Sequence, residues 1–257
     1  MAFCRYCGRE LQEGEVCSCR DQGETPKTEV ADAVSIQGKQ IAGEAWKDFI
    51  RLLKSPASYA GSYVKSGNMV TAILFLVLQA ICSSIFAVLC IGKINGLIGL
   101  GGSMTESLKF SSVGAFFLTL LYSILLSVAL TALYLGGSKL LRGELSIRQA
   151  LSAVSVRSVI LVPVKLAGCL LFMLNIPAGI MLFYCAGALA GMGFLGAGSE
   201  GVAGLSGDRR TYLTIAIAIV FALVFVLFAF WVFPTYIPST IREFFSWENI
   251  INTITSQ

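Results

Sequence analysis

The sequence contains no histidine among its 257 residues. This removes the most common general base of enzymes and the most common neutral metal ligand. Charged residues are also scarce: Asp, Glu, Lys and Arg make up 13% of the chain, whereas a soluble domain has about 25%. A hydrophobic fraction of 56% accompanies that shortfall. The composition therefore excludes an ordinary soluble domain and favours a protein embedded in a lipid bilayer.

Five apolar runs supply the segments that such a protein needs, because a helix of about 20 residues crosses the hydrocarbon core. The third and fourth runs are separated only by Asn175, Ile176 and Pro177. That joint is too short for a soluble excursion, so the two runs must form a helical hairpin. The predicted fold is an all-α integral membrane protein, a bundle of five transmembrane helices. The predicted spans are residues 69–91, 113–135, 156–174, 178–197 and 212–233.

Lys and Arg are distributed unequally between the two membrane faces, with ten on the side of the N-terminus and three on the other. Because these residues concentrate in cytoplasmic loops, we predict a multi-pass protein of the cell membrane with a cytoplasmic N-terminus. The tail, residues 234–257, is then extracytoplasmic. The ten are Lys47, Arg51, Lys54, Lys65, Lys139, Arg142, Arg148, Arg157, Arg209 and Arg210, and the three are Lys93, Lys109 and Arg242.

Four cysteines crowd the N-terminus, in the pattern Cys4-x2-Cys7-Gly8 and then Cys17-x-Cys19. Four thiolates suit a tetrahedral zinc ion, with Zn–S bonds of about 2.3 Å. A unit this short has no hydrophobic core, so the metal would have to fold it. We predict a structural Zn2+ ribbon over residues 1–22, with a redox or disulfide pair as the alternative. A reducing cytoplasm would keep these thiols able to bind metal.

Two further regions flank the spans. Residues 23–40 are polar and of mixed charge, which predicts a flexible linker. Residues 41–68 begin with apolar side chains at helical spacing, including Trp46, and lead into the membrane. This amphipathic helix suits either the lipid interface or packing against the loops between spans. A second amphipathic pattern lies in the tail, residues 234–257.

Two cations in the third span are the candidate contacts for an anion or a lipid phosphate, Arg157 and Lys165. Lys165 lies well inside the predicted span, and an unpaired lysine at the bilayer centre costs about 2.5–3.5 kcal/mol on insertion scales. The alternative is that its stem snorkels toward the cytoplasmic headgroups. Gly187-x3-Gly191 in the fourth span allows close helix packing, either within the chain or in a homodimer.

Catalytic groups are missing from the spans. None of the predicted spans contains Asp or Glu, and proton- or cation-coupled transporters usually relay through intramembrane carboxylates. No nucleophile–base pattern is visible either, so we predict that the protein is not an enzyme. A nucleic-acid partner is disfavoured, because the ribbon's few arginines are offset by glutamates and give a weak electrostatic footprint.

Three features resemble the bacterial branch of the Yip (Ypt-interacting protein) superfamily of five-span membrane proteins. The first is the helix from Trp46 that ends at Pro56 before the first span. The second is the connector from Gly136 to Leu151, which leads to Pro163 inside the third span. The third is the nearly loopless pairing of the third and fourth spans. The resemblance implies this fold and a membrane-organising or trafficking-like role.

The leading functional prediction is a non-enzymatic membrane adaptor that contacts the lipid bilayer and whose cytoplasmic zinc ribbon binds a protein partner. The alternative is a transporter or channel for a small anion or a lipid headgroup that uses Lys165 and Arg157.

Overall fold

A computed structural model of the chain describes residues 2–3, 10–11, 27–99 and 109–237. The chain divides into two compact units, Met1–Trp46 and Lys47–Gln257. The cysteines of the predicted ribbon, Cys4, Cys7, Cys17 and Cys19, lie outside the described residues, as does nearly all of the predicted extracytoplasmic tail. The elements are β1 (Ala2–Phe3), β2 (Glu10–Leu11), α1 (Lys27–Lys54), α2 (Pro56–Ser66), α3 (Met69–Gly99), α4 (Ser112–Leu140), α5 (Ile147–Leu174), α6 (Ile176–Met181), a π-helical segment (Leu182–Ala186), α7 (Gly187–Ser199) and α8 (Gly207–Tyr236).

Five of the described helices are long and apolar enough to cross a membrane. They are α3, α4, α5, the continuous run from α6 through α7, and α8. The prediction of a helical, multi-pass membrane protein is confirmed at this level.

The observed helices extend beyond the predicted spans. Helix α5 begins at Ile147 rather than at residue 156, because Ser146 and Gln149 form a reciprocal capping box there. The polar residues that follow do not end the helix. The hydroxyl of Ser155, for example, donates to the carbonyl of Ser152 at 2.8 Å. The predicted connector between the second and third spans therefore shrinks to residues 141–146.

The region before the spans also differs from the prediction. Helix α1 begins at Lys27, so the predicted flexible linker over residues 23–40 is helical from that residue onward. In the second unit, Phe49 packs edge-on against Phe75 of α3 at 5.9 Å between ring centroids, and Leu52 is fully buried. This part of α1 therefore packs on the bundle, the second of the two arrangements predicted for it.

The first unit contains a short antiparallel pair. Strand β1 pairs with β2, with Ala2 opposite Leu11 and Phe3 opposite Glu10.

Within the second unit, α5 is the central helix and packs against α2, α3, α4, α6 and α7. At its start the hydroxyls of Tyr63 and Ser155 lie 3.0 Å apart, and an isolated bridge joins Glu144 to Ala203. We call this the proximal end, formed by α2, residues 141–146 and residues 200–206. Helices α3, α5 and α8 all begin there.

The opposite end of the bundle is called distal and is marked by Asn95, Phe110 and Tyr236. The side chain of Asn95, near the end of α3, donates to the Phe110 carbonyl and accepts from its amide, both at 2.8 Å. This clasp joins α3 to the residues just before α4. Near the same end, the hydroxyls of Thr119 and Tyr236 lie 2.8 Å apart, which ties α8 to α4.

The predicted hairpin of the third and fourth spans is formed by α5 and the continuous run from α6 through α7. Asn175 caps α6 by accepting from the Ala178 amide at 3.0 Å. Gly179 lies directly against the backbone of Phe172, where any Cβ would overlap it. A glycine is required at this position because the two helices pack closely beside so short a joint.

Candidate functional site: a cationic cavity inside the bundle

A cavity of about 580 Å³ lies between the spans of the second unit. Helices α3, α4, α5 and α8 and the π-helical segment contribute to its wall. Most of the lining is aliphatic or aromatic, and none of the described residues that line it is acidic. The residues most important for its chemistry are Gln79, Ser83, Arg157, Lys165, Phe183 and Phe221.

Lys165 reaches the cavity from α5. Its ammonium donates to the Ser83 hydroxyl at 2.5 Å, and Nζ lies 5.2 Å from the centroid of the Phe183 ring. Since α5 begins at Ile147, the residue lies about 27 Å along the helix axis from that end and about 14 Å from the other. The ammonium is held between helices and is not extended along the bundle surface.

The amide of Gln79 lines the cavity one turn from Ser83. The hydroxyl of Ser158, on α5, donates to Gln79 Oε1 at 2.5 Å. The side-chain oxygen of Gln79 is therefore occupied by this bond. Its two amide hydrogens make no hydrogen bond in the described part of the chain. They add a neutral donor to a wall that already carries cations.

Arg157 is the second cation of the cavity. Its guanidinium carbon lies 5.0 Å from the centroid of the Phe221 ring on α8, at cation–π distance. It makes no hydrogen bond or ion pair with any residue that the structure describes. Gly191 provides the space that the side chain occupies, since a Cβ there would lie 2.9 Å from Arg157 Nε.

The charge balance of this cavity is therefore one-sided. Two cations line it, and no carboxylate among the described lining residues offsets them. Arg157 and Lys165 are both partly buried, and removing an unpaired charge from water is costly. At an effective dielectric constant of about 20, an anion about 4 Å from one cation gains about 4 kcal/mol. The arrangement favours an anion and repels a cation.

The π-helical segment forms an aromatic wall next to Lys165. Phe183 stacks on Phe86 of α3 at 3.8 Å between ring centroids, and Tyr184 meets Phe86 edge-on at 5.8 Å. Gly168 allows this approach, because a Cβ there would lie 3.0 Å from the Cβ of Phe183. Segments of π-helix within α-helices are frequent at functional sites. Nothing in the sequence predicts this one.

The two glycines predicted for helix packing face α5. A Cβ on Gly187 would lie 3.7 Å from Leu161 Cδ2, an ordinary contact, whereas one on Gly191 would press on Arg157. The predicted packing pair and the predicted anion contacts thus meet at one place. Gly191 is the link between them.

Metal ligation is a separate question from the cavity. In the part of the chain that the structure describes, no three Cys, Asp or Glu side chains come together as a metal site. Cys82, Cys90, Cys169 and Cys185 are free thiols. The predicted zinc ligands lie among the residues that are not described, so the zinc ribbon stays a prediction.

Comparison of the chain with protein-family models, with curated proteins and with solved structures gives no match.

Proposed function

We propose that this chain is a non-enzymatic membrane protein that binds a small anion or a lipid headgroup, as a transporter or channel, through Arg157 and Lys165. The observation that carries the proposal is the pair of cations lining one cavity with no acidic residue among its described neighbours. The donors already present there, the Lys165 ammonium and the Gln79 amide, suit an oxyanion.

The hydrogen bonds of Ser83 favour binding over catalysis. A serine beside a lysine can act as nucleophile and base, but the hydroxyl must then donate to a neutral amine. Here the Ser83 hydroxyl donates to the carbonyl of Gln79 at 3.0 Å and accepts from Lys165. Its proton is committed to the helix backbone. These two hydrogen bonds support a role for Lys165 as a fixed donor and positive charge.

Native mass spectrometry of the protein extracted from its membranes tests the proposal. We expect an anionic species to remain bound to the unsubstituted chain and to be lost from the double variant Arg157→Gln/Lys165→Gln. The matched control is Lys139→Gln/Arg148→Gln, which removes two exposed charges. Equal retention of the anion by all three proteins would refute the cavity as its site.

Transport adds a second readout. The purified chain reconstituted in vesicles is expected to conduct the retained anion, and Lys165→Ala to abolish the flux. A chain that retains the anion but conducts none in vesicles would be a binding protein, and the transport part of the proposal would fail.

The adaptor role is the second proposal, and it includes the resemblance to the Yip superfamily. The pairing of β1 with β2 supports it, because this pairing brackets residues 4–9 in the sequence, which include Cys4 and Cys7. A hairpin of this kind suits a metal knuckle that presents a small folded surface to a protein partner. The ribbon is proposed to lie in the cytoplasm and the C-terminus outside, and homodimerisation is part of the same proposal.

A truncation tests the adaptor. Removing residues 1–40 should leave the five spans inserted but abolish the capture of crosslinked protein partners from native membranes. If the truncated chain captures the same partners as the full chain, the ribbon is not the docking element.

A further inference from the structure

The size and lining of the cavity specify its ligand further than charge alone. We infer that the cavity binds an amphiphile with a phosphate monoester head and a single apolar chain, with the head at Arg157 and Lys165 and the chain directed toward the distal end. This inference rests on the proposed anion site and adds the class of ligand.

The volume of the cavity, about 580 Å³, is large for a small ion. An inorganic oxyanion has only five heavy atoms and would occupy a small part of it. Cavities of about 300–1,000 Å³ are the usual size for organic ligands. The space beyond the cations therefore calls for a larger molecule.

The cavity is elongated along the bundle. Gln79 and Ile94 both line it and lie about 22 Å apart along α3 at 1.5 Å per residue. Beyond the cations it is lined by Ile91 and Ile94 on α3 and Phe225 on α8, with the hydroxyls of Thr119 and Tyr236 nearest the distal end. One leaflet of the hydrocarbon core is about 15 Å thick. A single chain of leaflet length therefore fits between the cations and the distal end.

The charge of the cavity points to the head group. A phosphate monoester carries about −1.5 to −2 at neutral pH, which matches two cations that have no acidic neighbour among the described lining residues. A carboxylate would neutralise one of them, and a zwitterionic head would bring a cation into a cationic site. A phosphate monoester also offers three acceptor oxygens to a cavity whose lining includes three donors, Lys165, Arg157 and Gln79.

The chain must be accommodated by the distal half of the cavity, and Ala87 offers a way to test this separately. Ala87 lines the cavity on α3, one residue after Phe86. A phenylalanine there would fill the space of the chain without removing a charge. Ala132 of α4 is exposed and does not line the cavity, so Ala132→Phe is the matched control.

The experiment is equilibrium binding to the purified full-length chain in phosphatidylcholine nanodiscs, with radiolabelled dodecyl phosphate as the probe. We expect saturable binding that Lys165→Gln weakens about ten- to hundredfold, as for loss of a charge-assisted hydrogen bond, and that Lys139→Gln leaves unchanged. Inorganic phosphate and dodecylphosphocholine should compete much more weakly. Ala87→Phe should weaken the binding of dodecyl phosphate but not that of inorganic phosphate. Ala132→Phe should weaken the binding of neither.

Two outcomes overturn the inference, and they differ in what else they affect. If inorganic phosphate binds as tightly as dodecyl phosphate and Ala87→Phe changes neither, the ligand is a small anion; the proposed anion site then survives and the amphiphile does not. If neither phosphate binds to a chain that unfolds cooperatively on heating, both proposals fall. The same melting curve checks each variant for folding.

Discussion

Adding one methyl group at Gly191 perturbs the cationic cavity without removing a charge. A Cβ at this position would lie 2.9 Å from Arg157 Nε and 3.4 Å from Leu161 Cδ2. The first distance is shorter than real Cβ contacts, so the guanidinium must move. Gly193, on the same helix, has nothing within 4 Å of its Cβ position. Both variants replace a glycine of the same helix by alanine, but only Gly191→Ala introduces steric strain.

The magnitude follows from two opposing effects. Replacing a helical glycine by alanine stabilises a helix by about 0.8–1.0 kcal/mol, and this gain is common to both variants. Overpacking a buried site costs about 1–3 kcal/mol, and only Gly191→Ala incurs it. Because the Arg157 side chain is flexible, the lower half of that range applies. We expect Gly191→Ala to have a free energy of unfolding about 1–2 kcal/mol below that of Gly193→Ala.

Urea unfolding in mixed micelles, followed by circular dichroism, gives that difference, and anion binding gives a second readout. Gly191→Ala should lower the affinity for the anion because Arg157 is displaced, and Gly193→Ala should leave this affinity unchanged. Equal unfolding free energies and equal anion affinities for the two variants would refute the role given to Gly191. If Gly191→Ala instead dissociates a dimer while leaving anion affinity unchanged, Gly191 contacts another copy of the chain and not Arg157.

Three further predictions concern other parts of the molecule. The pKa of Tyr63 is raised above its ordinary value of 10.0, mainly because the side chain is buried. Above about pH 10 the unfolded chain therefore loses the phenol proton while the folded chain keeps it, so stability should fall as pH rises. Tyr63→Phe should flatten this fall in thermal unfolding scans. Gly179→Ala would place a Cβ on the backbone of Phe172, and should lower the free energy of unfolding by about 3 kcal/mol or more; a loss below about 1 kcal/mol in urea unfolding would show that the hairpin relaxes easily. Cys4→Ser should abolish stoichiometric zinc in the purified chain by elemental analysis, and an unchanged zinc content would exclude this cysteine as a ligand.

The number of spans could be predicted from sequence because hydropathy depends only on neighbouring residues. The start of α5 could not, since its first turns carry Arg148 and several serines, which indicated a polar connector. In the structure, serines near this boundary have partners inside the protein: Ser155 donates to the backbone carbonyl of Ser152, and Ser158 donates to the side-chain oxygen of Gln79. Polar residues near a span boundary therefore belong to the helix when their partners lie on a neighbouring helix.

The candidate site was predictable only in part. Arg157 and Lys165 are visible as charges in an apolar run. Gln79 and Ser83, which complete the polar wall, lie on α3, and their contacts with α5 depend on the packing of two helices far apart in sequence. The π-helical segment Leu182–Ala186 has no sequence signal at all, and it is this segment that brings Phe183 next to Lys165.

The most direct test of the central claim is a high-resolution density map of the protein purified from its own membranes. We expect density for a bound anion within hydrogen-bond distance of Lys165 Nζ and of the Arg157 guanidinium. A cavity with no ligand density, in which a carboxylate of the chain itself pairs with either cation, would contradict it.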